Sequence, residues 1–559
     1  MTRTEPWPAD DRLVQRAVTR PPTEGIVIAL CAAAALSLRL YQLSRPGYLL
    51  GVTEYDDGVL FGNALRLLTG VIPYRDFAMV QPPGSALLML SAALLAKVTG
   101  TAWGLAAGRL LTVGADTANV VLLGVLVRHR GPLTVGAACG GYAADPDAIV
   151  AAHTLLLEPW LNLFCLAGAV LLFDGDRMAG TAAERTAHVP DTAHVPDTVR
   201  LACSGVLFGF AAAVKIWALV PLGLAGLLLV VTTRRARPAA VLAGGAAAGL
   251  GVPLLPVVAL APGAVARGVV IGQEVRNAYG GGGSLGRLAD MAGLHLLPAR
   301  FPPGLLLVAV GAVAAGCYGA AYLGAPRPLP PLETYAFTGA VAVTAMFLWP
   351  RLYYSHYGAF AGPFLALAIA LPAGSLSARL AAARGPASHV GPPAVAVALG
   401  LVVLAAGLQQ FRVESRLHGG PVPAVADRLI PAGACVLTND VAYTVEADRF
   451  YSDVSGCPSI VDSLGTLFAM TSGQSRRAAP AVLRPVVELW QEDLARAGYV
   501  WFTSDTAEQI PWTPRLYGYF RAHFRLIGLA APHSYRGLVP RPGLYIRITP
   551  GSPGLGRDG

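Results

Sequence analysis

The chain has 559 residues, of which 54% are hydrophobic and only 13% are charged, and its formal net charge is +9. Its apolar runs recur at lengths near the ~20 residues that cross a hydrocarbon core of ~30 Å, which predicts an α-helical polytopic membrane protein rather than a soluble domain. The basic residues are dispersed through short loops and form no single stripe with aromatic residues, which argues against nucleic-acid binding.

The N-terminal segment, residues 1–23, is polar and contains four arginines. The apolar run over 24–44 follows, and no small-residue cleavage site closes it, so we expect a first transmembrane helix that starts in the cytoplasm. The positive-inside rule then assigns the Arg-bearing loops to the cytoplasmic side. These loops are 128–130, 174–200, 232–238, 325–328 and 377–385.

Eleven membrane spans are predicted in the region 24–411, within a range of 11 to 13. They cover 24–44, 104–127, 131–150, 159–173, 201–214, 217–232, 239–262, 302–322, 335–349, 359–373 and 392–411. The apolar segment 82–100 is long enough to cross as well. A crossing there would move the basic loop 128–130 outside, so we predict a re-entrant or interfacial helix for 82–100.

The first outer loop, 45–103, opens with the acidic stretch TEYDDG, Thr53 to Gly58. A buried charge beside a bilayer costs several kcal/mol unless it is paired or solvated. A solvated acidic loop is the simplest explanation for Glu54, Asp56 and Asp57. Other ionisable residues fall near the same predicted membrane face, namely Asp76, Asp145, Asp147, His153, Glu158, Lys215, Arg351 and His356. A transporter would instead hold such groups near the bilayer centre, so the distribution favours chemistry at a surface.

The C-terminal part, 412–559, has short apolar bursts separated by polar stretches, which predicts an α/β domain of ~150 residues. An odd number of crossings places this domain outside the cytoplasm. Cys435 and Cys457 are its only cysteines. An oxidising compartment permits them to form a disulfide, whereas two buried thiols are the alternative.

Residues 45–130 resemble the glycosyltransferase-C superfamily, especially its protein-mannosyltransferase-like branch. The resemblance rests on YDDGVLFGNALRLLTGVIPYRDF, then QPPG, then WGLAAGRLL. It implies an enzyme of the cell membrane that takes a sugar from a polyprenyl-phosphate donor and transfers it to a cell-envelope glycan, lipid or protein outside the cytoplasm. Mannose is the first expectation for the sugar. Arabinofuranose is the second, because actinobacterial cell-wall enzymes of the superfamily use it.

The resemblance also implies roles for the acidic residues. Asp56 matches the catalytic aspartate of the superfamily and is expected to act as general base in an inverting transfer. Asp57 matches the partner acid, although that acid is usually Glu, and Glu54 is the third carboxylate of the motif. These three groups are also candidates to hold a divalent ion such as Mg²⁺ or Mn²⁺, and the sequence leaves the cofactor open.

Basic and aromatic residues supply the expected donor site, since an anionic phosphate needs cationic partners at the headgroup level. The candidates are Lys215, Arg351 and His356, and the candidates to line the site are Glu158, His153, Tyr74 and Asp76. Each has a simpler explanation. Lys215 is suited to snorkel to the interface, Glu158 to cap a helix, and His356 to bond within an aromatic cluster.

Two other classes remain open from the sequence. A polyprenyl-lipid flippase or transporter would show inverted repeats and midplane polar residues, and the sequence displays neither. A non-catalytic membrane protein of envelope assembly would keep the outer domain but would not need the acidic loop together with Lys215 and Arg351.

Overall fold

The protein is described here by a computed structural model of residues 23–180, 197–271, 283–294, 302–322, 329–350, 352–384, 391–471, 480–503, 509–529 and 538–548. Within these ranges, eight helices are long and apolar enough to cross a membrane. They are Thr23–Leu43, Thr101–Arg130, Asp197–Val214, Ile216–Thr233, Ala236–Leu260, Pro331–Leu348, Ser355–Leu380 and Val397–Glu414. The prediction of a helical polytopic membrane protein is confirmed, and the total of 11 to 13 spans stays a prediction.

Of the remaining helices, Pro303–Tyr322 has 20 residues and coincides with the predicted span 302–322, and the others are shorter. The full set is Tyr55–Leu68, Gly84–Leu88, Leu90–Thr99, Pro132–Ala143, Pro146–Ala152, Glu158–Leu172, Pro262–Val265, Ser284–Met291, Pro303–Tyr322, Val441–Glu446, Ser463–Met470, Pro480–Arg496 and Pro514–His523. Short 3-10 turns occupy Arg128–Arg130, Ile216–Ala218, Ser355–Tyr357 and Pro423–Arg428, and Ala266–Ile271 is a π-helix. The helices that contain the spans at 355–380 and 397–414 run over Gly358–Arg384 and Gly391–Glu414.

The predicted span at 131–150 is not one continuous helix but is divided into Pro132–Ala143 and Pro146–Ala152, and its crossing of the membrane stays a prediction. Pro132–Ala143 ends before Asp145, whose side chain accepts hydrogen bonds from the backbone N–H of Asp147 (2.9 Å) and of Ala148 (3.2 Å). Asp145 therefore caps a new helix that starts at Pro146, a residue that favours the first helical position. Asp145 and Pro146 together end one helix and start another.

The segment 82–100 forms the two short helices Gly84–Leu88 and Leu90–Thr99. At 1.5 Å per residue, neither reaches the ~30 Å needed to cross the bilayer. Gly100 then adopts a φ of +93° and starts the long helix at Thr101. The short helices agree with the absence of a crossing here, and their placement at the interface stays a prediction.

Two of the spanning helices, Asp197–Val214 and Ala236–Leu260, pack through small residues. A Cβ added to Gly205 would lie 2.1 Å from the carbonyl oxygen of Leu242, and one added to Gly249 would lie 2.1 Å from that of Val206. Helices approach this closely in membranes where small residues line both surfaces. The contact fixes the end of Asp197–Val214, from which Lys215 follows directly.

The C-terminal region contains a four-stranded sheet, which confirms the small α/β unit. Its strands are β3 (Val436–Thr438), β4 (Tyr499–Phe502), β5 (Phe524–Gly528) and β6 (Gly543–Arg547). The strands β1 (Phe173–Asp174) and β2 (Arg177–Met178) form a separate two-stranded sheet earlier in the chain. The strand order is β3-β4-β6-β5, with β3 parallel to β4 and the other pairs antiparallel. Trp490, Phe502 and Phe520 fill the adjoining core, and a disulfide joins Cys435 to Cys457.

The C-terminal region packs directly on the acidic loop. The acidic-loop helix, Tyr55–Leu68, contacts Val441–Glu446 so closely that a Cβ on Gly58 would lie 2.1 Å from the backbone nitrogen of Ala442. A carboxylate oxygen of Asp448 accepts hydrogen bonds from the Thr101 hydroxyl and the Ala102 N–H, both at 3.0 Å. Asp448 thus caps the membrane helix that begins at Thr101, a role usually filled by a residue next in sequence.

The opposite end of the bundle gathers several of the basic loops predicted to be cytoplasmic. Arg130 pairs with Asp176 at 2.6 Å and with Glu333 at 3.0 Å, and His129 contacts Asp176 at 2.8 Å. The loop 128–130, the β1–β2 turn and the start of Pro331–Leu348 therefore meet. Their shared end agrees with their assignment to one membrane face.

Candidate active site

A cavity of about 280 Å³ lies where the acidic loop, two membrane helices and the C-terminal region meet. We name it the acidic cavity. Four residues that the sequence singled out line it, namely Glu54, Asp56, Lys215 and His356. The C-terminal region adds Asp462 and Gln509. Carboxylates and a lysine from distant parts of the chain thus face one volume.

Two of the carboxylates that line the cavity, Glu54 and Asp56, lie at the start of the acidic-loop helix. Asp56 lies in its first turn, where the helix dipole favours a negative charge. Glu54 precedes the helix, and burial, followed by the nearby charges of Asp56, Asp57 and Asp440, raises the pKa of Glu54 to about 8. Near neutral pH, Glu54 therefore retains its proton.

Asp57 faces the other side of the same helix and does not line the acidic cavity. One of its oxygens accepts from Arg109 at 2.7 and 3.0 Å, and the other accepts from the Leu155 N–H at 2.6 Å. Burial raises the pKa of Asp57, and the Arg109 guanidinium opposes that shift. Arg109 also pairs with Glu446 at 2.8 Å, so we name Asp57, Arg109 and Glu446 the Arg109 cluster.

Lys215 forms the cationic wall of the acidic cavity. Its backbone is extended and separates the helix Asp197–Val214 from the helix that begins at Ile216. Its Nζ lies 2.6 Å from an oxygen of Glu158. The same Nζ lies 3.5 Å from the centre of the Trp217 ring and 4.7 Å from that of Tyr357. Glu158 does not itself line the cavity, and both Glu158 and Lys215 are buried.

His356 and His153 have different surroundings. His356 lines the acidic cavity, and its ring stacks on Tyr354 with 5.6 Å between centroids and 6° between planes. His153 is buried at the end of Pro146–Ala152, where its ring lies edge-on to Tyr48 at 4.9 Å. His153 does not line the acidic cavity. Arg351 lies outside the described residues.

Tyr74 and Asp76 line a second cavity of about 630 Å³. The Tyr74 hydroxyl donates to the carbonyl of Gln81, and Asp76 accepts from the Ile72 N–H at 2.7 Å and from Arg75 at 2.8 Å. Both residues therefore shape the loop 72–81 and belong to a volume beside the acidic cavity.

Several residues at or near the site were not predicted from the sequence. Asp462 accepts from the Tyr55 hydroxyl at 2.9 Å and from the Gly465 N–H at 2.6 Å, which caps the helix Ser463–Met470. An Asp before such a helix signals a cap, but nothing in the sequence indicates that it lies against residue 55. Arg109 stands in the quoted stretch WGLAAGRLL, and its partner Glu446 is 337 residues away.

No three His, Cys, Asp or Glu side chains within the described ranges come together in an arrangement that would hold a metal ion. Glu54 and Asp56 share the acidic cavity, whereas the two carboxylate oxygens of Asp57 are occupied by Arg109 and Leu155. The three carboxylates of the motif therefore do not face a common point.

A similar architecture is found in the crystal structure of ArnT from Cupriavidus metallidurans bound to undecaprenyl phosphate. It matches 93% of this chain and 97% of that chain, with a TM-score of 0.55 and 15% sequence identity. The chain has the glycosyltransferase-C fold.

The fold is matched equally by the apo form of the same ArnT, with a TM-score of 0.55, 14% identity and the same coverage of both chains. The archaeal oligosaccharyltransferase AglB from Archaeoglobus fulgidus, in complex with an inhibitory peptide and a dolichol-phosphate, has a TM-score of 0.47 and 11% identity over 89% of this chain and 70% of that chain. No protein-family model matches the sequence. No curated protein matches it either.

Proposed function

We propose that this protein is a membrane glycosyltransferase that moves a sugar from a polyprenyl-phosphate donor to an acceptor outside the cytoplasm. The observation that carries the proposal is the acidic cavity, where Asp56 and Glu54 share one volume with Lys215. The fold adds support, since ArnT of the same fold was crystallised with undecaprenyl phosphate.

In the proposed reaction, Asp56 accepts the proton of an acceptor hydroxyl as its oxygen attacks the anomeric carbon. The bond between that carbon and the phosphate oxygen breaks, and the phosphate leaves with the electron pair. The hydroxyl becomes acidic as the bond breaks, so a carboxylate is a sufficient base. Attack opposite the phosphate inverts the anomeric configuration and gives an α product from a β-linked donor.

Lys215 is the proposed partner of the leaving phosphate. An ammonium has three N–H donors, of which Glu158 accepts one at 2.6 Å. The Trp217 and Tyr357 rings hold the Nζ at the cavity wall. His356, which packs against Tyr357, is the proposed second donor, and Arg351 stays a proposed third.

Glu54 and Asp57 have supporting roles in this proposal. The raised pKa of Glu54 keeps it neutral near pH 7, so it places a hydroxyl donor beside Asp56 instead of a second charge. Asp57 orients the acidic-loop helix through Arg109. Mannose is the favoured sugar and arabinofuranose the second, both from the sequence resemblance.

The C-terminal region is proposed to lie outside the cytoplasm, on the same membrane side as the acidic cavity. Two observations support this location. The region supplies Asp462 and Gln509 to the cavity, and a disulfide joins Cys435 to Cys457, as oxidising compartments permit. A tag placed after residue 411 should be labelled by an impermeant reagent from outside, whereas a tag at residue 190 should be protected.

The proposed transfer is tested with membranes that contain the protein and a radiolabelled polyprenyl-phosphate sugar. Label that moves from the lipid to a glycan, protein or second lipid supports the transferase. Movement of the intact labelled lipid across the bilayer without transfer would indicate a flippase instead. Absence of both, across mannose and arabinofuranose donors and with or without divalent ions, would reject both activities.

A further inference from the structure

The second cavity, of about 630 Å³, is not used by the proposed chemistry. We name it the arginine cavity, because Arg75, Arg267 and Arg496 line it. Its volume lies within the ~300 to 1,000 Å³ typical of small-molecule sites. The helix Ser463–Met470 divides it from the acidic cavity. Leu464 and Phe468 face the acidic cavity, whereas Thr466 and Met470 face the arginine cavity.

The loop 74–81 divides the two cavities in the same way. Residues 74–79 line the arginine cavity, and Val80 and Gln81 line the acidic cavity. The two volumes thus share a wall made of one helix and one loop. A molecule held in the arginine cavity therefore lies on the other side of this wall from the acidic cavity.

The positive charges of the arginine cavity are only partly neutralised. Arg75 is paired with Asp76 through two contacts of 2.8 Å. Arg267 and Arg496 have no ion-pair partner among the described residues. Two guanidinium groups therefore remain available on the wall, and guanidinium geometry suits phosphate and carboxylate groups.

The wall also contains a buried acceptor. Asp493 is 5% exposed, and its Oδ2 has no hydrogen-bond partner within the described part of the chain. Leaving such a group unpaired is unfavourable, so a ligand that donates a hydroxyl hydrogen to it gains affinity. Burial raises the pKa of Asp493 to about 6, partly offset by Arg496, which agrees with its low-dielectric position.

The arginine cavity lies next to the end of a membrane span. Ala236–Leu260 is one of the eight spanning helices, and the following residues 262–271 carry Ala264 and Arg267 to the cavity. Val270, on the same segment, is 57% exposed. Charged groups and exposed apolar surface on one segment are typical of a membrane boundary.

From these observations we infer that the arginine cavity binds the acceptor through an anionic headgroup that also carries hydroxyls, such as a sugar phosphate. Arg267 and Arg496 contact the anion, and Asp493 accepts from a hydroxyl. The identification of this ligand as the acceptor rests on the proposed function, whereas the binding site itself does not.

The test is direct binding of mannose 6-phosphate to the purified full-length protein in neutral detergent. Replacing both arginines (Arg267→Gln and Arg496→Gln) should raise the dissociation constant at least about tenfold, because each replacement removes a charge-assisted hydrogen bond to the anion. Arg484→Gln is the matched control, because Arg484 lies on the helix of Arg496 but is 76% exposed and pairs with Glu488. This control should bind like the parent.

Two outcomes would overturn the inference. One is equal binding of mannose 6-phosphate by the double variant, and the other is equal affinity of the parent for uncharged mannose. The binding result needs no transfer, so it stands or falls independently of the transferase proposal. If transfer occurs, the double variant should raise the acceptor KM and leave kcat near the parental value, unlike a variant of Asp56.

The source of the headgroup is resolved by competition. Nanodiscs that contain phosphatidylinositol, compared with nanodiscs of phosphatidylcholine alone, should displace mannose 6-phosphate if the acceptor arrives in the membrane. Displacement by soluble inositol phosphate but not by the nanodiscs would assign a water-borne anion. Displacement by phosphatidylcholine nanodiscs to the same extent would contradict recognition of the anionic headgroup.

Discussion

The Arg109 cluster and the acidic cavity lie on two sides of the start of one helix, yet their ionisable groups differ in how far they are paired. In the cluster, Arg109 is fully buried and contacts two carboxylates and two backbone carbonyls. In the cavity, Asp56 and Glu54 face open volume, with Lys215 on its wall. Fully paired charged groups, as in the Arg109 cluster, hold segments of the chain together. Ionisable groups that border a cavity are accessible to a ligand.

The largest expected effect separates the neighbours Asp56 and Asp57. Asp56→Asn keeps the size of the side chain but removes the base, so we expect a loss of at least about a thousandfold in turnover with little change in donor affinity. Its thermal unfolding midpoint should stay near that of the parent. Initial rates with a saturating labelled donor measure the loss. Near-parental rates would contradict the assignment of Asp56 as the base.

Substitutions in the Arg109 cluster should lower the stability of the fold. Arg109→Ala leaves Asp57 and Glu446 buried without a cation, which typically lowers the free energy of unfolding by about 3 to 5 kcal/mol. Arg109→Lys should recover only part of this, because a lysine cannot make the forked contact with Asp57. Thermal unfolding in detergent measures both, with exposed Arg416→Ala as control. A parental midpoint for Arg109→Ala would show that the cluster does not hold the helix.

The cationic wall should affect the donor. Lys215→Ala removes a charge-assisted contact worth about 1.5 to 3 kcal/mol, so we expect donor KM to rise roughly ten- to a hundredfold. The chain contains one other lysine, exposed Lys97, and Lys97→Ala is therefore the matched control. Unchanged donor kinetics in a folded Lys215→Ala variant would limit Lys215 to its structural pair with Glu158.

The smallest effect is a pH dependence of stability at Glu54. Folding raises the pKa of Glu54 from 4.5 to about 8, so between these pH values the folded state keeps a proton that the unfolded state has lost, and the free energy of unfolding falls as pH rises. Glu54→Gln should therefore gain stability relative to the parent between pH 5 and pH 8. The expected gain in the free energy of unfolding is on the order of 1 kcal/mol. Each pKa unit corresponds to about 1.4 kcal/mol, and relaxation of the protein around the ionised side chain reduces the effect of the full shift. A difference that is constant with pH would contradict the shifted pKa.

Several features of the molecule could be predicted from local signals in the sequence. Apolar run lengths predicted a polytopic helical protein, and the acidic loop with Lys215 and His356 pointed to residues that do meet at one cavity. These signals are local, because hydrophobic length and charge placement can be read within a segment. The resemblance over 45–130 predicted the fold that the comparison with ArnT confirms.

Other features depend on contacts that no local pattern encodes. Asp462 reaches the cavity by pairing with Tyr55 across 407 residues, and Arg109 pairs with Glu446 across 337. The period of a helix starting at Tyr55 would place residues 56 and 57 on different sides, but it does not say which side borders a cavity. The segment 131–150 forms two helices instead of one because Asp145 and Pro146 interrupt an otherwise apolar run.

The cap that Asp448 gives to the helix Thr101–Val127 has a consequence for biosynthesis. The cap and the capped residue are separated by 347 residues. At a synthesis rate of about 5 to 20 residues per second, roughly 20 to 70 s pass before the ribosome supplies Asp448. During that interval the end of an early membrane helix keeps unsatisfied donors, and Arg109 lacks Glu446. The membrane bundle of the nascent chain therefore stays incomplete until residues 446 and 448 of the C-terminal region have been synthesised and have folded against it.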